Sequence, residues 1–260
     1  MPECTNHPAG TPSWMDLATT DLDGAKSFYA TVFGWEFDAV YSGDELVYTN
    51  ARTNGALVAG LMQIAPDTPM QSCWRCYIAV DDADKTTRRA VELGATVLLE
   101  PMDVMDAGRT AVIADPTGAV IALWQAHEHL GFGVTNEPGA FCWADCMTTD
   151  TERAIDFYCA LFGWEAHTRS GGPMPYTEFS CDGVAVAGLM TLPPDALANG
   201  VAPYWGVYVA VADAEAALTT ATNQGATTLW GPMGIAVGQM AGIMDPQGAV
   251  IAFIELASET

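Results

Sequence analysis

The feature that most constrains this 260-residue chain is that it contains its own approximate copy. The segment WMDLATTDLDGAKSFYATVFGWEF from Trp14 is matched by WADCMTTDTERAIDFYCALFGWEA from Trp143. Further on, GALVAGLM at Gly55 answers to GVAVAGLM at Gly183, WRCYIAVDDAD to WGVYVAVADAE, and DPTGAVIA at Asp115 to DPQGAVIA at Asp245. A repeat of about 130 residues is far longer than a solenoid unit and signals a duplicated domain. The copies predict domains over 1–127 and 140–260, with the Gly-, Asn- and Pro-containing stretch 128–139 as the linker.

Inside each copy the pattern reads strand, helix, then three strands, and then the same again. PSWMDLAT alternates as a strand. Asp21 is placed to cap a helix whose apolar positions Ala25, Phe28, Tyr29, Val32 and Phe33 follow helical spacing, and Gly34 suits its C-terminal stop. Strands are expected near 35–41, 45–51 and 55–63. The second module gives a strand at 74–81, a helix at 83–93 and strands near 95–100, 109–115 and 119–126. The fold class is α+β.

Composition narrows the function. Nine Lys and Arg against 32 Asp and Glu leave a formal charge of −23, which repels phosphate backbones and anionic membranes, so nucleic-acid binding is not expected. No apolar run approaches the ~20 residues a membrane helix needs, and the first residues lack a signal-peptide pattern, so a cytoplasmic protein is expected. Cys73 and Cys76 form a CxxC, but on a strand residues three apart face opposite ways, and neither a second CxxC nor a His pair completes a zinc set; free, mostly buried thiols are the expectation for all seven cysteines.

TTD followed by FY and FGW, the step IAVDDAD and the hairpin DPxGAVI, in order and twice, resemble the vicinal oxygen chelate superfamily, which includes glyoxalase I, extradiol dioxygenases and bleomycin-resistance proteins. The resemblance covers nearly the whole chain and implies two domains, each curling two βαβββ modules into a U-shaped mixed sheet around a cavity. It also implies a metal held by His, Glu or Gln from the first and last strands of each module. In this chain those positions fall on Trp14, Gly60, Arg75 and Ala122, and in the second copy on Trp143, Gly188, Gly206 and Ala252. None of these is an ordinary ligand for a divalent cation. The four histidines, at 7, 127, 129 and 167, do not fill the gap, and His127-Glu128-His129 reads as a solvated linker face. No metal and no other cofactor is expected.

Alternation then places Asp16 on the face of Trp14, and Asp145 on the face of Trp143. Arg75 shares a face with Tyr77, while the second copy has Gly206 with Tyr208. A concave surface of Trp14, Arg75, Tyr77, Arg109, Trp124 and Met62, or of Trp143, Tyr208 and Met190, suits a flat hydrophobic or aromatic small molecule, for biosynthesis or for resistance by sequestration. An inward carboxylate is costly unless paired, so Asp16 and Asp145 are either paired, with Arg75 or Arg109 as partners for Asp16, or serve as ligand handle or general base. Arg75 is absent from the second copy, and the N-terminal cavity is therefore expected to be the more polar and functional one. The competing reading is a metal-dependent glyoxalase- or dioxygenase-type enzyme with non-standard ligands; tryptophans plugging two disused cavities are the bland one. Whether the chain catalyses is left open, as is assembly into a homodimer.

Overall fold

The computed structural model describes residues 6–170 and 174–257; Cys4 lies outside them. In the first half β1 (Pro12–Thr19) leads to α1 (Leu22–Phe33), β2 (Glu36–Ser42), β3 (Glu45–Thr53) and β4 (Ala56–Gln63). The second module follows with β5 (Cys73–Ala79), α2 (Ala83–Glu92), β6 (Thr96–Val104), β7 (Gly108–Ala114) and β8 (Val120–Ala126). The second half repeats the plan. Its first module is β9 (Phe141–Thr148), α3 (Thr151–Phe162), β10 (Glu165–Arg169), β11 (Tyr176–Cys181) and β12 (Val184–Thr191). After the short α4 (Pro194–Ala198), which the sequence pattern does not anticipate, come β13 (Tyr204–Val211), α5 (Ala214–Asn223), β14 (Thr227–Ile235), β15 (Gly238–Met244) and β16 (Val250–Leu256).

Each half forms its own eight-stranded mixed sheet, in order β2-β3-β4-β1-β5-β8-β7-β6 and β10-β11-β12-β9-β13-β16-β15-β14. The modules join where β1 runs antiparallel to β5 and β9 to β13, so the first strands of all modules lie at the sheet centres. The helices start as their sequences dictate. Asp21, Asp82, Asp150 and Asp213 each cap with a carboxylate oxygen on a backbone N–H three residues on, and Gly34 and Gly163 end α1 and α3 at φ of 70° and 73°. Cys73 and Cys76 sit on opposite faces of β5, and the six described cysteines are all free.

The halves are held together by the very motifs that repeat. Tyr29 of α1 donates to Asp245 Oδ2 at 2.7 Å, and Tyr158 of α3 donates to Asp115 Oδ2 at 2.7 Å, both buried. The other oxygen of each aspartate caps its own turn, accepting from Gln247 and Ala249 N–H in one half and from Thr117 and Ala119 N–H in the other. Trp74 and Trp205 donate in turn to Tyr29 and Tyr158. Trp35 reaches across to the Gly139 carbonyl and Trp164 to that of Gly10, each at 2.7 Å. The FY, FGW and DPxG motifs therefore build the junction between the domains, while the concave faces take other residues.

Candidate functional site

At the centre of the first sheet, β1 lies between β4 and β5, with Asp16 opposite Gly60 on one side and Arg75 on the other. Asp16 is 2% exposed. Its Oδ2 accepts from Tyr77 at 2.6 Å and from Tyr48 at 3.4 Å, and Trp14 Nε1 donates to the Tyr48 hydroxyl at 2.9 Å. Oδ1 is buried and has no hydrogen-bond partner. Arg75 bonds to the Tyr77 hydroxyl at 3.4 Å and acts on Asp16 through that group and through space. Burial raises the Asp16 carboxyl above its ordinary range, and the Arg75 charge opposes that shift.

The second sheet rebuilds the cluster without the arginine. Asp145 lies between Gly188 and Gly206 in register. Its Oδ1 accepts from Trp143 Nε1 at 3.0 Å and Tyr176 Oη at 2.8 Å, with Trp143 also donating to Tyr176 at 2.8 Å. The Tyr208 hydroxyl lies close enough to help hold the charge. Burial is again the largest influence and pushes the carboxyl up, with only neutral donors opposing it. The Tyr204 ring edge stands 3.4 Å from the point where a Cβ on Gly206 would be, so it covers the space beside Asp145 on that side.

Tyr48 and Tyr176 were not singled out from the sequence. The signal was there: Tyr-Thr recurs at 48–49 and 176–177, within the repeat but in less similar surroundings. Their hydroxyls explain why glycine stands at 60 and 188, since a Cβ at either position would collide with the tyrosine hydroxyl from the neighbouring strand. Gly60→Ala is expected to expel Tyr48 from Asp16 and cost roughly 1–3 kcal/mol, read by denaturant unfolding; an unchanged midpoint would show that the tyrosine can move freely. Met62 and Met190 lie two residues beyond these glycines on the same face and are half-buried.

Two expectations are corrected by the geometry. Arg109 does not face Asp16: its guanidinium bonds to Asp84 at 2.7 Å, Asp103 at 2.9 Å and the Pro101 carbonyl at 3.0 Å, because its cross-strand partner on β6 is Asp103. Nor is His127-Glu128-His129 a solvated face throughout, and the linker beyond it packs on the first sheet. Phe132 and Val134 are buried, with Phe132 N–H on the Ser13 carbonyl and Gly133 N–H on that of Leu57. His127 and Glu128 are exposed, but His129 packs edge-on to Trp14 at 4.4 Å and to Trp124 at 5.7 Å, and Trp124 Nε1 donates to its carbonyl. Burial lowers the His129 pKa to about 4, so the ring is neutral. Apolar side chains every other residue in a Gly-rich stretch can settle over a neighbouring face, which short-range pattern reading does not reveal.

That strap makes the two concave faces unequal. Trp14 is 3% exposed, with His129 and Phe132 against it, and it merges with Tyr77 and Trp124 into the main core. In the second sheet Tyr208, Ala252 and Ile254 form a separate small cluster bordered by the partly exposed Trp143, Trp230, Ile235 and Met240. Among the described residues no aromatic ring packs on Trp143.

The donor set does not fit the metal that the fold implies. Position 60 is filled by a tyrosine hydroxyl, Trp14 and Trp143 offer only N–H donors, and the described residues bring no three His, Cys, Asp or Glu side chains together as a cation site.

The architecture defines a tandem paired-βαβββ protein with a buried carboxylate and two tyrosines at the heart of each sheet. The chain belongs to the glyoxalase/bleomycin resistance protein/dioxygenase superfamily, whose model matches residues 10–123 and 127–253. It is 36% identical over 264 residues to a Mycobacterium tuberculosis protein named "Putative glyoxylase CFP32", each chain covered completely. It is 32% identical to the anthracycline biosynthesis protein DnrV of Streptomyces peucetius, with 97% of this chain and 95% of that one covered. Among solved structures, the Mn(II)-bound glyoxalase of Novosphingobium aromaticivorans superposes with a TM-score of 0.65 at 16% identity, covering 95% of this chain and 82% of that one. The homoprotocatechuate 2,3-dioxygenase of Brevibacterium fuscum, in complex with 3,4-dihydroxyphenylacetate, gives 0.64 at 16%, covering 99% and 85%.

Proposed function

We propose that this protein binds a hydrophobic or aromatic small molecule on the concave face of a sheet without a resident metal ion, and that the C-terminal face is the one it uses. The observation that carries this reading is the Trp143–Tyr176–Asp145–Tyr208 cluster, which sets a buried carboxylate among aromatic rings on a face bordered by the partly exposed Trp143, Trp230 and Met240. Rings give flat apolar contact, and the hydroxyls and carboxylate orient polar atoms of the ligand. With its pKa raised, Asp145 can accept a proton from a bound phenol or activated C–H, the role of a general base should the protein catalyse. Asp16, whose buried Oδ1 has no partner, shares its face with Trp14, the ring that His129 and Phe132 cover. A relative named for anthracycline biosynthesis supports a ligand from natural-product chemistry.

Titration with a panel of flat polycyclic aromatics, followed by tryptophan emission, tests this. Trp143→Ala is expected to weaken binding by at least about tenfold, and Trp14→Ala by much less. Equal affinity in both variants and the parent would reduce the two tryptophans to core plugs. Protein dialysed against a chelator is expected to bind as before and to carry less than stoichiometric zinc, iron, nickel or manganese. One tightly held equivalent per chain would overturn the metal-free part of the proposal.

A further inference from the structure

The two clusters differ in one chemically decisive respect. Asp16 has the Arg75 guanidinium across the strand pair. At the same register position Asp145 has Gly206, and no positive group contributes to its environment. A carboxylate that is 5% exposed is costly to keep ionised with neutral donors alone. Around it stand the rings of Trp143, Tyr176, Tyr204 and Tyr208, with Trp230 beside Tyr208 at 6.5 Å. Aromatic faces attract organic cations, and they do so more strongly when desolvated. The chain's formal charge of −23 adds a long-range field that concentrates cations and disfavours anions.

We propose that the C-terminal cluster is an organic-ammonium site, in which a protonated or quaternary amine of the ligand sits against the aromatic rings as the counter-ion that Asp145 lacks. The inference rests on the C-terminal face being the binding face and adds the ligand's charge to that reading. The N-terminal cluster, where Arg75 already supplies a positive charge, is not expected to take such a group. The ligand's cation supplies the positive charge that the Arg75 guanidinium supplies in the first sheet, so a built-in charge in one domain answers to a borrowed one in the other.

The test compares benzyltrimethylammonium with its neutral isostere neopentylbenzene, by calorimetry and tryptophan emission at neutral pH. The cation is expected to bind at least about tenfold more tightly. Asp145→Asn should remove that preference. Gly206→Arg, which puts a built-in positive charge at the register position of Arg75, should weaken the cation more than the neutral probe. Equal affinity for the two probes, or a preference that survives Asp145→Asn, overturns the proposal while leaving aromatic binding intact. If neither probe binds but the polycyclic panel still does, the ammonium site is again excluded. If the panel fails as well, the reading beneath it has failed, and this proposal with it.

Discussion

Asp245→Ala is expected to lower the thermal midpoint by about 10 °C, one of the two largest effects of a single substitution foreseen for this chain. One side chain serves two purposes. Its Oδ1 accepts from the Gln247 and Ala249 N–H groups at 2.9 and 2.8 Å and fixes the turn into β16, while Oδ2 accepts from Tyr29 of the other domain at 2.7 Å. Removing it orphans a buried hydroxyl and two backbone donors at once, a loss of roughly 3–5 kcal/mol; for a chain of this size each kcal/mol shifts the midpoint by about 2–4 °C. Tyr29→Phe removes only the hydroxyl and should cost about 1–2 kcal/mol. Tyr158→Phe should cost a similar amount through Asp115, with which it shares the same geometry but no partner with Tyr29. Circular dichroism melts of the three variants decide the matter. A shift below about 2 °C for Asp245→Ala would mean that apolar packing alone holds the domains together.

The second large effect concerns Asp145. Asp145→Asn keeps the size of the side chain and its acceptor for Tyr176 and Trp143 but removes the charge. Ligand affinity is expected to fall roughly 10- to 100-fold, the usual worth of a hydrogen bond to a charged group. Stability should move the other way with pH. Burial raises the Asp145 pKa in the folded state, so the folded protein holds this proton more tightly than the unfolded chain does. Its stabilising contribution is then complete below the unfolded pKa and is lost as pH rises through the folded one. The stability of Asp145→Asn relative to the parent should therefore climb as pH rises above the range in which the unfolded carboxyl titrates. Asp16→Asn should show the same trend more weakly, because the charge on Arg75 offsets part of the burial penalty. Urea unfolding at several pH values measures both. A stability difference that stays flat with pH would show that Asp145 is ionised throughout and already compensated.

The duplication, the strand and helix order apart from α4, and the Asp21 cap were legible in the sequence, since each depends on residues near one another in the chain. The alternation that sets Asp16 beside Trp14 and Asp145 beside Trp143 is likewise a local property of a strand, and the register of β1 against β5 bears it out by bringing Trp14 opposite Tyr77. That Trp, Gly, Arg and Ala stand where the resemblance implies metal ligands could be read from residue type alone. What packs at those positions could not. Tyr48 comes from β3 to fill the space at Gly60, and that contact depends on how β3 pairs with β4 and how the sheet curls.

Three further matters were decided only by tertiary structure. Arg109 looked like a partner for Asp16 because it is one of few cations in an acidic chain, yet strand pairing on β7 and β6 turns it toward Asp103 and Asp84. The FY and DPxG motifs signalled ancestry, and the fold gives them work as reciprocal locks between domains 216 residues apart in sequence at Tyr29 and Asp245. The sequence also pointed to the N-terminal cavity as the functional one on the strength of Arg75. Packing of His129 and Phe132 covers the Trp14 ring, whereas Trp143 stays partly exposed, which is why the proposed site moves to the C-terminal face. Sequence fixes what lies within a few residues along a strand or helix, where geometry is periodic. Which distant segment comes to rest on a face is set by the balance of burial over the whole chain, and only the folded structure records the outcome.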